Sequence, residues 1–334
     1  MRKLIRYLGL CILIGICIIV GMYIFHKHFL KTSDILSLSY TPSASPYYEE
    51  NYFYVHDNVL YFVDDCNTKG KMAVKYVKNN VIHIFAKIPN AYDQFIIIDD
   101  KSAIIQWKDA LHLLNASNDE LVELWQGDCV GCYEGQVYFT KDNVLYSAKV
   151  SESEPKSVLS FDELLSSDYT GITYRKGENI YQFLLEQPIE PKLLTVGEIP
   201  WLEQSNSFLI SDSYLYTSDY ALHIGNRALD IYVYESKEMK RIFEIDENDA
   251  NMVAMAVVAQ QNELYVSRQY VDIKLWPLKN KQINGTYKYD IEENQWSKIS
   301  NKTYTVLVQF EEKYLYGLGN AQIFSPYITR IKID

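Results

Sequence analysis

Beyond residue 50, apolar positions recur at a spacing of two or in unbroken short runs, and each run ends in a polar turn. No stretch of ten or more residues carries the helical period together with caps, so the pattern predicts strands throughout. One word, DNVLY, is written twice, at Asp57–Tyr61 and Asp142–Tyr146. It belongs to a wider series in which a polar turn is followed by an apolar pair that opens a strand. The series runs Leu60-Tyr61, Ile104-Ile105, Leu145-Tyr146, Ile180-Tyr181, Leu215-Tyr216, Leu264-Tyr265 and Leu315-Tyr316. The mean step is about 42 residues, which suits a four-stranded propeller blade of ~40–50 residues. Each pair is read as the start of a blade's second strand.

Further strand–turn–strand segments fill out the units, among them MAVKYVKNNVIHIFAKI, DALHLLNASNDELVELW and LDIYVYESKEMKRIFEI. The expected fold is all-β: a β-propeller of seven four-stranded blades, with six or eight as the alternative counts. A sandwich would not repeat one word at a regular period, and solenoid repeats would be shorter. Radial stacking buries both faces of every sheet, which accounts for runs such as FIIID that alternate poorly. The last unit ends one strand short at YITRIKID, and Asp34–Tyr40 is the expected donor of the missing strand. A short helix is expected at Ser160–Asp168.

The N-terminus breaks the pattern. Residues 7–25 are apolar or uncharged without interruption, and as a helix they would span roughly 28 Å, close to a bilayer's ~30 Å core. Arg2, Lys3 and Arg6 precede the run and Lys27 and Lys31 follow it, which favours a cytoplasmic N-terminus and an external body. The run is longer than a usual signal-peptide core and lacks an Ala-x-Ala-like site, so an uncleaved signal anchor is expected. The expected layout is an anchor with flanks at 1–31, a linker at 32–50 and the propeller at 51–334.

Composition adds two points. Tyr is abundant, at 29 residues, and fits half-buried strand surfaces. None of the 43 acidic residues lies in the first 31 positions, so the body is strongly acidic and would repel a phosphate backbone. No nucleic-acid partner is expected.

With these repeats laid out, the x-D-N-x-L-Y units resemble those of YWTD-like propellers and related bacterial propellers with a single N-terminal anchor. The resemblance covers roughly residues 51–334. Tyr287–Ile299 is also similar to the end of a Kelch unit, although the Gly-Gly doublet of that unit and a literal Tyr-Trp-Thr-Asp are both missing. The resemblance implies a propeller with a protein-binding or ligand-binding habit, and it brings no catalytic residue.

Candidate chemistry is sparse. Cys129 and Cys132 have C-x-x-C spacing, but no second such pair is available for zinc. A local disulfide, a disulfide from one of them to Cys66, and unpaired thiols all remain open. His83 and His112 sit in apolar strands and read as packing residues. Asp64-Asp65 and Asp99-Asp100 read as solvated strand ends and turns, and Asp246–Asn251 as a solvated loop. Asn115, Asn284 and Asn301 lie in glycosylation sequons. Trp201 and Trp276 sit in inserted loops and are the binding candidates, against the blander reading of a Trp folded back over a blade. No catalytic, metal or cofactor residue is expected. The function expected is a protein- or glycan-binding or scaffold module outside the membrane, and the alternative is a lyase or hydrolase working in the central funnel.

Overall fold

The structure, a computed structural model, describes residues 35–37, 53–57, 59–66, 68–78, 81–186, 190–201, 213–225, 227–245, 252–260, 262–271, 283–310, 314–319 and 327–333. Strand β1 is Ile35–Ser37. The first blade follows as β2 (Phe53–His56), β3 (Val59–Asp65), β4 (Lys71–Lys78) and β5 (Val81–Pro89). Blade two holds β6 (Gln94–Ile97), β7 (Ser102–Trp107), β8 (Ala110–Asn115) and β9 (Glu120–Gln126). Blade three holds β10 (Asp128–Tyr133), β11 (Gln136–Lys141), β12 (Val144–Lys149) and β13 (Lys156–Ser160). In blade four they are β14 (Glu163–Asp168), β15 (Gly171–Lys176), β16 (Asn179–Leu184) and β17 (Lys192–Val196). Blade five has β18 (Ser213–Tyr216), β19 (Tyr220–Ile224), β20 (Ala228–Val233) and β21 (Glu238–Glu244). Blade six has β22 (Met252–Gln260), β23 (Glu263–Val271), β24 (Gly285–Asp290) and β25 (Gln295–Ser300). Strands β26 (Val306–Phe310), β27 (Tyr314–Gly319) and β28 (Tyr327–Lys332) begin the seventh.

Each of the seven sheets is an antiparallel four-stranded meander. In the seventh the order is β26-β27-β28-β1, so the N-terminal strand supplies the outermost position. Ile35, Leu36 and Ser37 pair with Thr329, Ile328 and Tyr327. The two ends of the body are thereby joined in one sheet, and no blade is left with three strands. First strands of successive blades lie against one another around the axis, while last strands such as β9 and β13 are largely exposed at the rim.

One feature repeats more faithfully than any sequence word. In all six blades built from consecutive strands, the fourth strand slips by one residue against the third. The residue left out of register is Phe85, Leu124, Val158, Leu194, Ile242 and Ile299 in turn, an apolar side chain every time. A bulge of this kind adds right-handed twist, which the rim of a propeller blade needs more than its centre does.

The repeat of seven holds, but its phase does not. Asp57 starts the turn between the first and second strands of blade one. Asp142 and Asn143, with φ of 49° and 59°, form a turn between the second and third strands of blade three. Paired positive φ values mark the hairpin turn whose twist matches its strands, and Asp and Asn tolerate it. The word therefore marks a hairpin, not a fixed place in a blade. Apolar–Tyr pairs open second strands in blades one, six and seven, third strands in blades three and four, and close the first strand of blade five. The expected helix at 160–168 is also corrected. Glu163–Asp168 is the first strand of blade four, because pairing with β15 outweighs weak local helix preference.

Packing is almost wholly between blades. Phe53, Phe62, Phe95 and Phe139, from blades one to three, share one buried cluster with Val306 and Ile328 from the seventh. Tyr265 and Tyr289 are the largest fully buried side chains and belong to the clusters on either side of blade six.

Candidate functional site

Antiparallel meanders fix which connections share an end of the ring. A blade's last strand finishes at the end where the next blade's first strand begins, and Gly127 alone joins β9 to β10. A Cβ at Gly127, whose φ is 138°, would lie 2.5 Å from the Thr140 carbonyl oxygen. Connections from first to second strand and from third to fourth therefore lie at one end. All of these are short, none longer than the stretch 185–191 between β16 and β17. The long connections, 38–52, 197–212 and 272–284, all belong to the opposite end.

The axis differs between the ends too. At the short-turn end, Tyr169, in the turn after β14 of blade four, reaches across to Tyr54 of blade one with ring centroids 4.7 Å apart. Phe95 of blade two adds a second edge contact to Tyr54 at 6.1 Å. Burial, with the thiols of Cys132 and Cys129 beside it, pushes the Tyr54 hydroxyl far above its ordinary pKa, so it stays a neutral plug. Toward the long-connection end a pocket of about 210 Å³ remains, lined by Phe53, Ser213, Ile224, Met255–Val257 and Thr305–Val308. These are the starts and middles of first strands from blades one, five, six and seven, with Ile224 ending β19. Each first strand pairs on one side only, so backbone N–H and C=O groups edge the axis between the apolar side chains.

The structure places the candidates from the sequence as follows. Trp201 is half-buried and packs with Ile180, Leu194 and Ile199. Its ring lies 5.3 Å from Tyr214 and 5.6 Å from His223, so it folds back over blade five. Trp276 and the run 246–251 lie outside the described residues. Cys66, Cys129 and Cys132 are free thiols. The bulge between Cys129 and Gly131 puts Cys129 opposite Phe139 and Cys132 opposite Val137, which brings both thiols onto one face of β10. Burial pushes Cys132 up to about 11 and Cys129 higher still, so neither is a thiolate near neutrality. His112 is buried against Trp107, with Nδ1 3.2 Å from the Ala110 carbonyl oxygen; His83 is exposed and stacks on Tyr76.

Asp64 corrects an expectation. It is buried inside β3 and accepts a 2.5 Å hydrogen bond from Lys75 Nζ across the sheet, rather than solvating a turn. Sequence reading also missed two buried charge clusters. Asp230, fully buried on β20, accepts from Arg241 Nε at 2.9 Å and Nη2 at 3.4 Å and faces His223 Nδ1 at 3.6 Å. His223 stacks on Tyr214 at 4.8 Å. The available signal was a lone carboxylate in the apolar run ALDIYV, opposite Arg241 on the next strand. Second, the buried guanidinium of Arg268 lies over Tyr287 at 3.7 Å and over Phe243 and Trp296 at 4.5 Å. Burial lowers its pKa, the rings offset part of that cost, and Trp296 Nε1 donates to the Ile242 carbonyl of blade five. The first cluster ties the strands of blade five to one another, and the second ties blade six to blade five.

Among the described residues no group of three or more His, Cys, Asp or Glu side chains is placed to hold a metal ion. No helix among them is long and apolar enough to cross a membrane, and residues 7–25 lie outside them.

Comparison with known proteins gives fold relatives only. No family model and no curated protein matches the chain. Among solved structures, the chain is similar to a protein described as the extracellular domain of a one-component system from B. thetaiotaomicron. The TM-score is 0.50 at 12% identity, covering 89% of this chain and 40% of that one. The chain thus spans well under half the length of that relative. A chain of the S. cerevisiae assembly of dbp5, nup159 and gle1 gives a TM-score of 0.50 at 7% identity, covering 90% and 96%. An oligogalacturonate lyase from Vibrio parahaemolyticus gives 0.47 at 9%, covering 90% and 92%. The chain is a seven-bladed β-propeller. At these identities the likeness shows the fold alone.

Proposed function

We propose that the chain is a membrane-anchored propeller, displayed outside the membrane, that binds a protein partner by receiving one apolar side chain in its axial pocket. Size and lining carry this reading. A 150 Å³ apolar cavity holds a benzene ring, whereas drug-sized ligands fill roughly 300–1,000 Å³. At about 210 Å³ the pocket suits one leucine- or phenylalanine-sized group and is too small for several sugar rings. Phe53, Ile224, Met255, Val257 and Val306–Val308 supply the apolar wall, and the inner edges of the first strands can bond the partner's amides. The anchor at 7–25 and the external placement rest on the sequence pattern, and a fold relative described as an extracellular domain is compatible with the external placement.

The rival reading, a glycan lyase or hydrolase, needs carboxylates, tyrosines or arginines converging on the funnel. Among the described residues that line the pocket there is no titratable side chain, which favours binding over chemistry. The test is cross-linking and capture from native membranes, comparing the wild-type chain with Ser213→Trp. Ser213 is exposed at the pocket's mouth, so its replacement fills the cavity without disturbing the core. A protein captured by the wild type and lost with Ser213→Trp is the expected result. Equal capture by both, or turnover of a glycan with no protein captured, overturns the reading.

A further inference from the structure

We infer that the ring stands on the membrane with its short-turn end inward, so that the axial pocket and the long connections face away from the bilayer. The inference rests on the anchor reading above and adds a direction to it. Strand β1 is the outermost strand of blade seven and runs antiparallel to β28, with Ile35 opposite Thr329 and Ser37 opposite Tyr327. Fourth strands start at the short-turn end and finish at the pocket end. Ile35 therefore enters the ring at the short-turn end, and the chain leading back to residue 25 departs from there.

Distance decides between the two ways of standing. The nine residues 26–34 reach about 30 Å at full extension. Six-residue strands such as β11 give the ring a depth of about 20 Å. With the short-turn end inward, the tether needs only to clear the headgroup layer, roughly 6 Å. Inverted, it must also climb the whole rim, about 26 Å in all, and would be drawn almost straight. The upright arrangement leaves the tether its conformational freedom, and the inverted one removes it.

Charge opposes close contact without reversing this order. The short-turn end presents Asp57, Asp99, Asp100, Glu134, Glu154 and Asp219, which an anionic surface repels over a Debye length of about 8 Å. The ring is thereby held above the headgroups on its tether, with the pocket open to a partner approaching from outside.

Two probes on blade three read the orientation. Ser153 lies in the turn between β12 and β13 at the short-turn end, and Lys141 ends β11 at the pocket end; both are exposed. Full-length chain with Cys11 and Cys17 replaced by Ala and Cys66 and Cys132 by Ser carries either Ser153→Cys or Lys141→Cys, labelled with a water-soluble fluorophore. It is reconstituted into phosphatidylcholine vesicles containing a headgroup nitroxide lipid. Quenching at least twofold stronger at position 153 than at 141 is expected. Equal quenching, or stronger quenching at 141, overturns the orientation while leaving the anchor intact. A chain that does not float with the vesicles overturns the anchor reading, and the orientation with it.

Discussion

Replacing Asp230 by Ala removes the acceptor at the centre of the buried network in blade five. The carboxylate is fully buried, takes two bonds from Arg241 and faces His223. Breaking a buried ion pair from one side costs roughly 3–5 kcal/mol, mostly because the remaining charge is stranded. Arg241 would not be stranded: its side chain is 24% exposed and keeps a 2.6 Å pair with Glu244. The loss for Asp230→Ala therefore falls at the low end, about 3 kcal/mol. Arg241→Met does the opposite and leaves a fully buried carboxylate with His223 as its nearby base, so it should cost more, about 4–5 kcal/mol. The double change Asp230→Leu with Arg241→Met strands nothing and should recover much of the loss. Urea unfolding of the three variants, followed by far-UV circular dichroism, measures all of this. If Arg241→Met proves milder than Asp230→Ala, or if both stay within about 0.5 kcal/mol of wild type, the network does not carry the stability assigned to it.

Other consequences follow from the same packing. A Cβ at Gly171 would lie 2.1 Å from the Phe183 carbonyl oxygen on the paired strand, so Gly171→Ala should cost about 3 kcal/mol or prevent soluble expression, read by denaturant midpoint. Burial raises the hydroxyls of Tyr174 and Tyr216 to about 12 and those of Tyr54, Tyr220, Tyr234 and Tyr265 further. The unfolded chain then releases these protons first, so stability is complete below about pH 10 and falls steeply above it. A melting temperature flat from pH 9 to 12 would contradict this. At the acid end, burial alone would raise Glu263, but hydrogen bonds from Lys288 and Tyr265 outweigh it and hold the carboxyl below its ordinary value. Its contribution is present above about pH 4.5 and is lost as pH falls through the lowered pKa, and Glu263→Gln should flatten that part of the acid profile.

The architecture was legible because hairpin chemistry recurs once per blade. Asp-Asn turns and apolar–Tyr strand starts are local devices, and their period survives any slip in which hairpin carries them. Their phase was not legible for the same reason: a first-to-second turn and a second-to-third turn demand the same backbone, so Asp57 and Asp142 look alike while occupying different places. Glu163–Asp168 became a strand only through the edge that β15 offers. The pocket was beyond local reading, since Phe53 and Val308 meet at the axis from opposite ends of the body. Asp64 and Asp230 hid for a related reason: Lys75 and Arg241, which make their burial affordable, sit on the neighbouring strand eleven positions on.

A photo-reactive benzoyl-phenylalanine placed at Ser213, on the mouth of the pocket, or at Ser153, on the opposite end, tests the proposed binding end most directly. Irradiated in native membranes, the chain carrying the probe at 213 should form a discrete protein adduct that the probe at 153 does not. Adducts of equal yield from both positions, or from 153 alone, would contradict partner binding through the axial pocket.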